Sequence, residues 1–135
     1  SKHFLNFYFL ATYTPGWLAS VDNITSSSLL IQWSNLTSFI NRGILHYIVL
    51  LSSSDKSAPH HAIVDESRLD LEINGLDHSQ SYQMEVFGVD ALGYCYKTLE
   101  VNATTKNGRE YRTSSGFFYV TRIGGDRKLC GQVCQ

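Results

Sequence analysis

Short segments in which apolar and polar residues alternate, each closed by a turn signal, constrain the fold of this chain more than any other feature. The alternation is clearest at Leu29–Trp33, Leu45–Ser52 and Leu69–Ile73. Residues two apart in an extended strand share a face, whereas a helix repeats about every 3.6 residues. The chain is therefore predicted to be built from β-strands. Seven are expected, at Trp17–Ile24, Leu29–Trp33, Leu45–Ser52, His61–Val64, Leu69–Ile73, Tyr82–Asp90 and Tyr96–Ala103.

The number and length of these strands predict an all-β fold. A sheet must bury one face, and seven short strands do so as two packed antiparallel layers, an immunoglobulin-like sandwich. Pro15-Gly16 breaks the preceding pattern, and the composition changes after Thr105. We therefore expect an N-terminal flank at 1–14, a domain at 15–105 and, at 106–135, a linker or the start of a truncated module.

Both flanks leave alternatives open. The apolar stretch Phe4–Tyr13 is shorter than the roughly 20 residues that span a bilayer. It is expected to be a strand or a loose terminus, with the remainder of a signal peptide as the alternative. Residues 106–135 carry six Lys or Arg and two acidic residues. Because these charges are dispersed, they favour a linker over a basic membrane-binding patch.

The composition argues against several classes of function. The 135-residue chain has a formal net charge of −1, without the basic excess of nucleic-acid-binding domains. It lacks the Gly-x-Ser-x-Gly turn of hydrolases and the glycine-rich loops that hold phosphates. His60 and His61 are adjacent, so in a strand they point to opposite faces and make a poor metal site. We expect no catalytic residue, cofactor, metal ion, nucleic acid or small-molecule substrate.

The cysteines are odd in number, namely Cys95, Cys130 and Cys134, so they cannot all pair within the chain. The Cys-x3-Cys pair has no second pair or histidines beside it, as a zinc site would need. Unpaired or partner-dependent thiols are expected, and a Cys130–Cys134 or intermolecular disulfide is the alternative.

Three Asn-x-Ser/Thr sequons begin at Asn23, Asn35 and Asn102. Such sequons accept N-linked glycans and are read as surface sites of secreted proteins. All three are predicted glycosylation sites. They favour an extracellular or cell-surface location, in a membrane or a secreted protein.

The order of several residues resembles the fibronectin type III family. Trp33 ends the second predicted strand, and Tyr47 lies in the third within Leu-His-Tyr-Ile-Val. Leu76 is followed after five residues by Tyr82, which is similar to the tyrosine corner of that family. The resemblance covers about two thirds of the chain and implies the sandwich fold. It also implies a backbone acceptor near Leu76 for the Tyr82 hydroxyl. The implied core residues are Trp33, Tyr47, Leu76, Tyr82 and Val86.

Alternation in the third and sixth predicted strands places a second apolar set on the outward face. If Tyr47 and Val86 point inward, their neighbours point outward. An exposed apolar patch often marks an interface. Cover by the N-terminal segment or by the C-terminal tail is the alternative, and the loops Asn35–Gly43 and Ala91–Tyr94 are weaker binding candidates. The predicted interface residues are Ile48, Leu50, Phe87 and Val89.

The family resemblance and the absence of chemical motifs favour a binding role. The chain is expected to be a non-catalytic protein-interaction module of a cell-surface receptor or adhesion protein, whose parent is anchored in a membrane in the receptor case. The protein partner is not identified by the sequence. No Arg-Gly-Asp tripeptide is present, so integrin binding is unsupported. A spacer in a secreted matrix protein and an accessory domain of a carbohydrate-active enzyme are the alternatives.

Overall fold

The computed structural model describes residues 11–55 and 58–108. They form two sheets that pack face to face. The larger sheet has six strands in the order β1-β8-β7-β4-β5, with β9 pairing to β7, and the smaller has the order β2-β3-β6. The strands are β1 Thr12–Tyr13, β2 Ala19–Asp22, β3 Leu29–Trp33, β4 Ile44–Ser53, β5 His60–Asp65, β6 Asp70–Ile73, β7 Ser81–Asp90, β8 Cys95–Lys97 and β9 Val101–Thr104. A short helix, α1, covers Thr37–Ile40 between β3 and β4.

The predicted last strand is present as two pieces, β8 and β9. Between them the Thr98 hydroxyl accepts a hydrogen bond from the Val86 N–H at 3.2 Å. The Thr98 N–H in turn donates to the Val86 carbonyl at 3.0 Å. A side-chain oxygen thus takes the place of a backbone acceptor, and the ladder is interrupted before Val101.

Strand β1 corrects the expectation of purely antiparallel sheets. Thr12 and Tyr13 pair in parallel with Tyr96 and Lys97 of β8. Thr12 and Tyr13 both lie in the N-terminal flank, 1–14, which was predicted to precede the domain. Residues 1–10 of that flank and the tail from 109 onward, with Cys130 and Cys134, lie outside the described residues.

The inner core lies between the two sheets. Trp17 is fully buried, and its indole N–H donates to the Ser34 carbonyl at 2.7 Å. The ring of Tyr47 lies 6.1 Å from the Trp17 ring and 5.5 Å from the Trp33 ring, measured between centroids. Of the predicted core residues, Leu76 is only partly buried at its edge. The structure buries the other four, Trp33, Tyr47, Tyr82 and Val86.

A glycine in β7 lets the inner core close. Gly88 faces Tyr47 and Trp17, and a Cβ at this position would overlap the side chain of Leu36. Leu36 comes from the turn before α1 and is fully buried. The missing side chain therefore makes room for a loop residue to enter the core.

A second apolar cluster lies on the other face of the larger sheet, and we call it the outer cluster. It consists of Ile48 from β4, Phe87 and Val89 from β7, and Cys95 from β8. The expected exposure of this patch is wrong, because Ile48 and Phe87 are at most 2% exposed and Val89 is also buried. Leu50 is partly buried against the cluster. The alternation gave the correct face, but facing away from the inner core did not leave these side chains in water.

Candidate functional site

Exposed apolar side chains gather at the end of the sandwich where β7 turns into β8. Leu92 and Tyr94 in the connecting loop are 73% and 59% exposed. Leu45 is also exposed, and it follows Ile44, which pairs with Asp90 at the end of β7. We call Leu45, Leu92 and Tyr94 the tip surface. In the described part of the chain, this exposed apolar area includes the Ala91–Tyr94 loop, which the sequence analysis named as a binding candidate.

The loop under the tip surface is organised by one buried carboxylate. Asp90 is 1% exposed, and its Oδ1 accepts hydrogen bonds from the backbone N–H groups of Leu92 and Tyr94, both at 2.9 Å. The Asp90 N–H donates to the Tyr94 carbonyl, and the Gly93 N–H donates to the Asp90 carbonyl, both at 3.0 Å. Gly93 has a φ of 91°, which favours glycine in this tight turn. The backbone that carries Leu92 and Tyr94 is thereby fixed.

The other oxygen of Asp90 binds two side chains. Oδ2 accepts from the Tyr96 hydroxyl at 2.9 Å and from the Arg42 guanidinium at 3.2 Å. Arg42 also donates to the Tyr96 hydroxyl at 3.1 Å, and its guanidinium lies 5.7 Å from the centre of the Tyr94 ring. Arg42 comes from the loop after α1, so the contacts join that loop to the β7–β8 hairpin.

The surroundings keep Asp90 ionised. Burial by itself raises the pKa of the Asp90 carboxyl, but hydrogen bonds from Tyr96, Tyr94, Arg42 and Leu92 outweigh burial and hold that pKa below its usual value. Burial, followed by the hydrogen bond to Asp90, raises the pKa of the Tyr96 hydroxyl, so Tyr96 stays a donor. The network is therefore complete and charged at neutral pH.

We expect Asp90→Asn to lower the melting temperature by several degrees at pH 7, because the ionic contacts to Arg42 and Tyr96 are lost. A depressed folded-state pKa stabilises the fold above the unfolded-state value of about 3.9 and ceases to do so as the pH falls through the folded-state pKa. The difference between wild type and variant should therefore shrink below about pH 4. Melting curves between pH 2 and 7 measure this, and equal melting at pH 7 would contradict it. Asp70→Asn is the control, because Asp70 forms a half-exposed pair with Arg68.

Sequence reasoning named the Ala91–Tyr94 loop but missed the residues that hold it. Arg42 and Asp90 are 48 positions apart, and no local pattern joins them. An Asp that ends a strand before a Gly-containing turn is the one available signal, because such side chains bond the backbone two residues onward.

The predicted glycosylation sites all lie on the surface, since Asn23, Asn35 and Asn102 are exposed. Asn35 Oδ1 accepts from the Thr37 N–H and hydroxyl, at 3.0 and 2.7 Å. This geometry leaves the Asn35 amide nitrogen, which a glycan would modify, directed away from those bonds. Glycosylation at the three sites stays a prediction.

Other kinds of site find little support in residues 11–55 and 58–108. These residues contain no group of three or more His, Cys, Asp or Glu side chains that would hold a metal ion. No helix among them is long and apolar enough to cross a membrane. Burial raises the pKa of the Cys95 thiol to about 12, which makes it a poor nucleophile.

Comparison with known proteins gives one curated relative and many similar folds. The relative is "MAM and fibronectin type III domain-containing protein 1" of Acropora millepora, 31% identical over 107 residues, or 79% of this chain. The chain spans about a quarter, 25%, of that protein's length. No family model matches the chain.

Solved structures that resemble this chain include fibronectin type III domains. The domain from human collagen XX is 22% identical with a TM-score of 0.58, covering 66% of this chain and 88% of its own. The third such domain of the human KIAA0343 protein is 13% identical with a TM-score of 0.60, covering 72% and 83%. At these identities the structures show a common fold. Together with the curated relative and the arrangement of strands, they show that this chain has the fold of a fibronectin type III domain and is similar to a protein named for such a domain.

Proposed function

We propose that this domain is a non-catalytic protein-interaction module of a cell-surface receptor or adhesion protein, and that it binds its partner through the tip surface. The observation that carries the proposal is the combination of a fixed backbone and exposed apolar side chains. Asp90 holds the loop backbone through Oδ1 and binds the Tyr96 hydroxyl through Oδ2, while Leu92 is 73% exposed. If the leucine and tyrosine side chains of this loop served only folding, we would expect them to be buried.

The tip surface has the chemistry of a protein-binding site. Tyrosine and arginine are enriched among residues that dominate binding energies, because each offers both apolar area and hydrogen bonds. Arg42 lies against the Tyr94 ring with its guanidinium still half exposed, at 48% of its side chain. Since the loop is ordered before binding, association costs little further conformational entropy.

The extracellular setting rests on separate observations. The three sequons lie at exposed positions, as glycosylation would require. The name of the curated relative joins this kind of domain to a MAM domain in one protein. We therefore assign the domain to the extracellular part of a multidomain protein.

The test compares binding of the full chain with that of a tip variant, Leu92→Ser/Tyr94→Ser. The chain is assembled into tetramers to raise avidity. Its binding is then measured on an array of purified receptor and matrix ectodomains. We expect saturable binding to at least one ectodomain, and a loss of affinity of at least tenfold in the tip variant. This magnitude corresponds to roughly 1.4 kcal/mol or more, as for a central interface residue.

Ile63→Ser is the matched control, because Ile63 is 64% exposed on the edge strand β5 and lies away from the β7–β8 turn. It removes a comparable exposed apolar side chain and should leave binding unchanged. Equal losses in both variants, or undiminished binding of the tip variant, would contradict the assignment of the tip surface. An absence of binding to every ectodomain would contradict the interaction role itself.

A spacer role is the second candidate, and the placement of the described chain ends favours it. Ala11 lies next to the residues paired with Tyr96, at the β7–β8 turn, whereas Thr104 pairs with Ser81 at the other end of β7. The two points are separated by most of a ten-residue strand, about 25–30 Å. Such a domain fits in line between neighbours and sets their distance.

A further inference from the structure

Strand β5 lies at one border of the larger sheet. It pairs with β4, and the strand order β1-β8-β7-β4-β5 places no described strand beyond it. At six residues, His60–Asp65, it is longer than the two border strands of the smaller sheet, β2 and β6, which have four residues each. A sheet edge presents backbone N–H and C=O groups to which a further strand can pair. The outward edge of β5 is therefore a candidate interaction surface.

The hydrogen bonds of β7 determine which backbone groups of β5 point outward. Val86 bonds Thr98 through both its N–H and its C=O, so these groups point away from β4. Antiparallel pairs alternate between bonded and non-bonded, so the next residue, Phe87, forms a bonded pair with Ile48 of β4. Ile48 and Ile63 are then a non-bonded pair on the β5 side. The N–H and C=O of Ile63 consequently point to the outward edge.

The side chains of β5 on the outer face of the sheet form a self-complementary set. His61 and Asp65 flank Ile63 on that face, because residues two apart in a strand share a face. All three are exposed, Ile63 by 64%. In a twofold dimer, if residue i contacts residue j, then j also contacts i. A twofold axis through Ile63 therefore places Ile63 against itself and His61 of each copy opposite Asp65 of the other.

Neighbouring registers lack this match. A twofold axis through Ala62 sets Ile63 opposite His61, and an axis through Val64 sets Ile63 opposite Asp65. Both put an apolar side chain against a polar one and leave no histidine opposite a carboxylate. Histidine has a ring N–H to donate to a carboxylate when it is neutral, and it forms an ion pair when it is protonated. The side chains of β5 thus favour the register centred on Ile63.

Strand β6 is a contrasting edge in the same domain. Asp70 and Glu72 share one of its faces. A twofold axis through Leu71 sets Asp70 opposite Glu72, and an axis through Glu72 sets that residue against itself. Like charges directly opposite each other destabilise strand pairing. The acidic residues of β6 therefore oppose pairing with a second copy, whereas β5 contains no such repeat and none of the Lys or Pro residues that block edges.

We propose that two copies of this chain pair antiparallel through β5, with Ile63 at the twofold axis and His61 opposite Asp65 on either side of it. The larger sheets of the two copies then form one continuous sheet. A contact through one strand is small, so the association is weak and reversible. The inference is independent of binding through the tip surface, which lies at the β7–β8 turn. The tetramers of the array test already fix the number of copies, so Ile63→Ser remains a valid control there.

Sedimentation equilibrium of the full chain tests the pairing at pH 7, with a reducing agent that prevents disulfides between copies. Concentrations from about 10 µM to about 1 mM suit an interface of this size. We expect a monomer–dimer equilibrium. Ile63→Lys should lower the association constant at least tenfold, because it sets two positive charges against each other at the axis. Leu99→Lys is the matched control, since Leu99 is 54% exposed between β8 and β9, and it should leave the association constant unchanged.

A charge exchange tests the register. His61→Asp sets a carboxylate opposite Asp65 and should lower the association constant at least tenfold. Adding Asp65→Lys to that variant restores an opposite-charge pair and should return the association constant to within about threefold of wild type. The two positions are four residues apart in one strand, about 13 Å, so such a rescue reports contact between copies.

Tryptophan emission verifies that each variant is folded, because Trp17 and Trp33 lie in the inner core. If Ile63→Lys loses native emission, Ile63→Thr replaces it and should weaken association at least threefold. A chain that stays monomeric over the whole concentration range would overturn the proposal. So would a dimer that the folded Ile63 variant leaves undiminished, since it would form through another surface. Failure of Asp65→Lys to rescue His61→Asp would overturn the register.

Discussion

Trp17→Ala is expected to lower the free energy of unfolding by about 3–5 kcal/mol, the usual cost of removing a large buried aromatic. Trp17 is fully buried between the two sheets and lies against Tyr47. Its loss leaves a cavity next to Gly88 and removes the hydrogen bond to the Ser34 carbonyl. Urea unfolding of the full chain, followed by circular dichroism, measures the change.

Leu18→Ala is the control for this prediction, because Leu18 is the next residue and is 54% exposed. It should change the free energy of unfolding by less than about 0.5 kcal/mol. A Trp17→Ala variant that unfolds within about 1 kcal/mol of wild type would contradict the position of Trp17 in the core.

The two tryptophans should differ when each is replaced by phenylalanine. In the described structure the Trp33 indole N–H is buried without an acceptor, whereas that of Trp17 bonds Ser34. Trp33→Phe removes a donor that has no acceptor, whereas Trp17→Phe removes the donor that bonds the Ser34 carbonyl. Trp17→Phe should therefore cost about 1 kcal/mol more than Trp33→Phe, although Trp33→Ala should destabilise as strongly as Trp17→Ala.

Tyr82→Ala is the second change with a large expected effect, also about 3–5 kcal/mol. The Tyr82 ring is 6% exposed, and its hydroxyl accepts a hydrogen bond from the Asp77 N–H at 2.9 Å. The partner is thus a backbone donor and not the acceptor that the sequence predicted. The alanine variant loses both the ring from the inner core and the tie to the turn before β7.

Tyr82→Phe separates these two contributions. It keeps the ring and removes the hydroxyl, so the loss should be about 1–2 kcal/mol. Urea midpoints of the three proteins should therefore fall in the order wild type, Tyr82→Phe, Tyr82→Ala. If phenylalanine and alanine were equally destabilising, the ring would contribute nothing beyond its hydroxyl, contrary to its burial.

Much of the fold followed from the sequence because period-two alternation reports which residues share a face. It separated the side chains of β4 into an inward set with Tyr47 and Val49 and an outward set with Ile48 and Leu50, as observed. It did not identify Trp17 as a core residue, because Pro15-Gly16 precedes it and no alternation surrounds it. Its burial is decided by the partners that the tertiary fold brings, Tyr47 and Gly88.

The candidate site was harder to predict for a physical reason. Exposure depends on what lies above a surface, and alternation carries no information about a further layer. The outward face of β4 and β7 therefore appeared to be a binding surface, whereas the structure buries Ile48 and Phe87. The tip surface depends on Arg42 reaching Asp90 from a different loop, and such a contact between distant residues has no local sequence pattern.

Strand β7 has an evolutionary consequence that follows from its burial on both sides. Five consecutive residues, from Val86 to Asp90, are buried. In an ordinary sandwich strand every second position faces water and can change freely, so mutations accumulate on that face. In this stretch of β7 neither alternating set of side chains can change freely, because one set closes the inner core and the other supports the outer cluster. Substitutions along this stretch can therefore persist only together with compensating changes in whatever lies against each face.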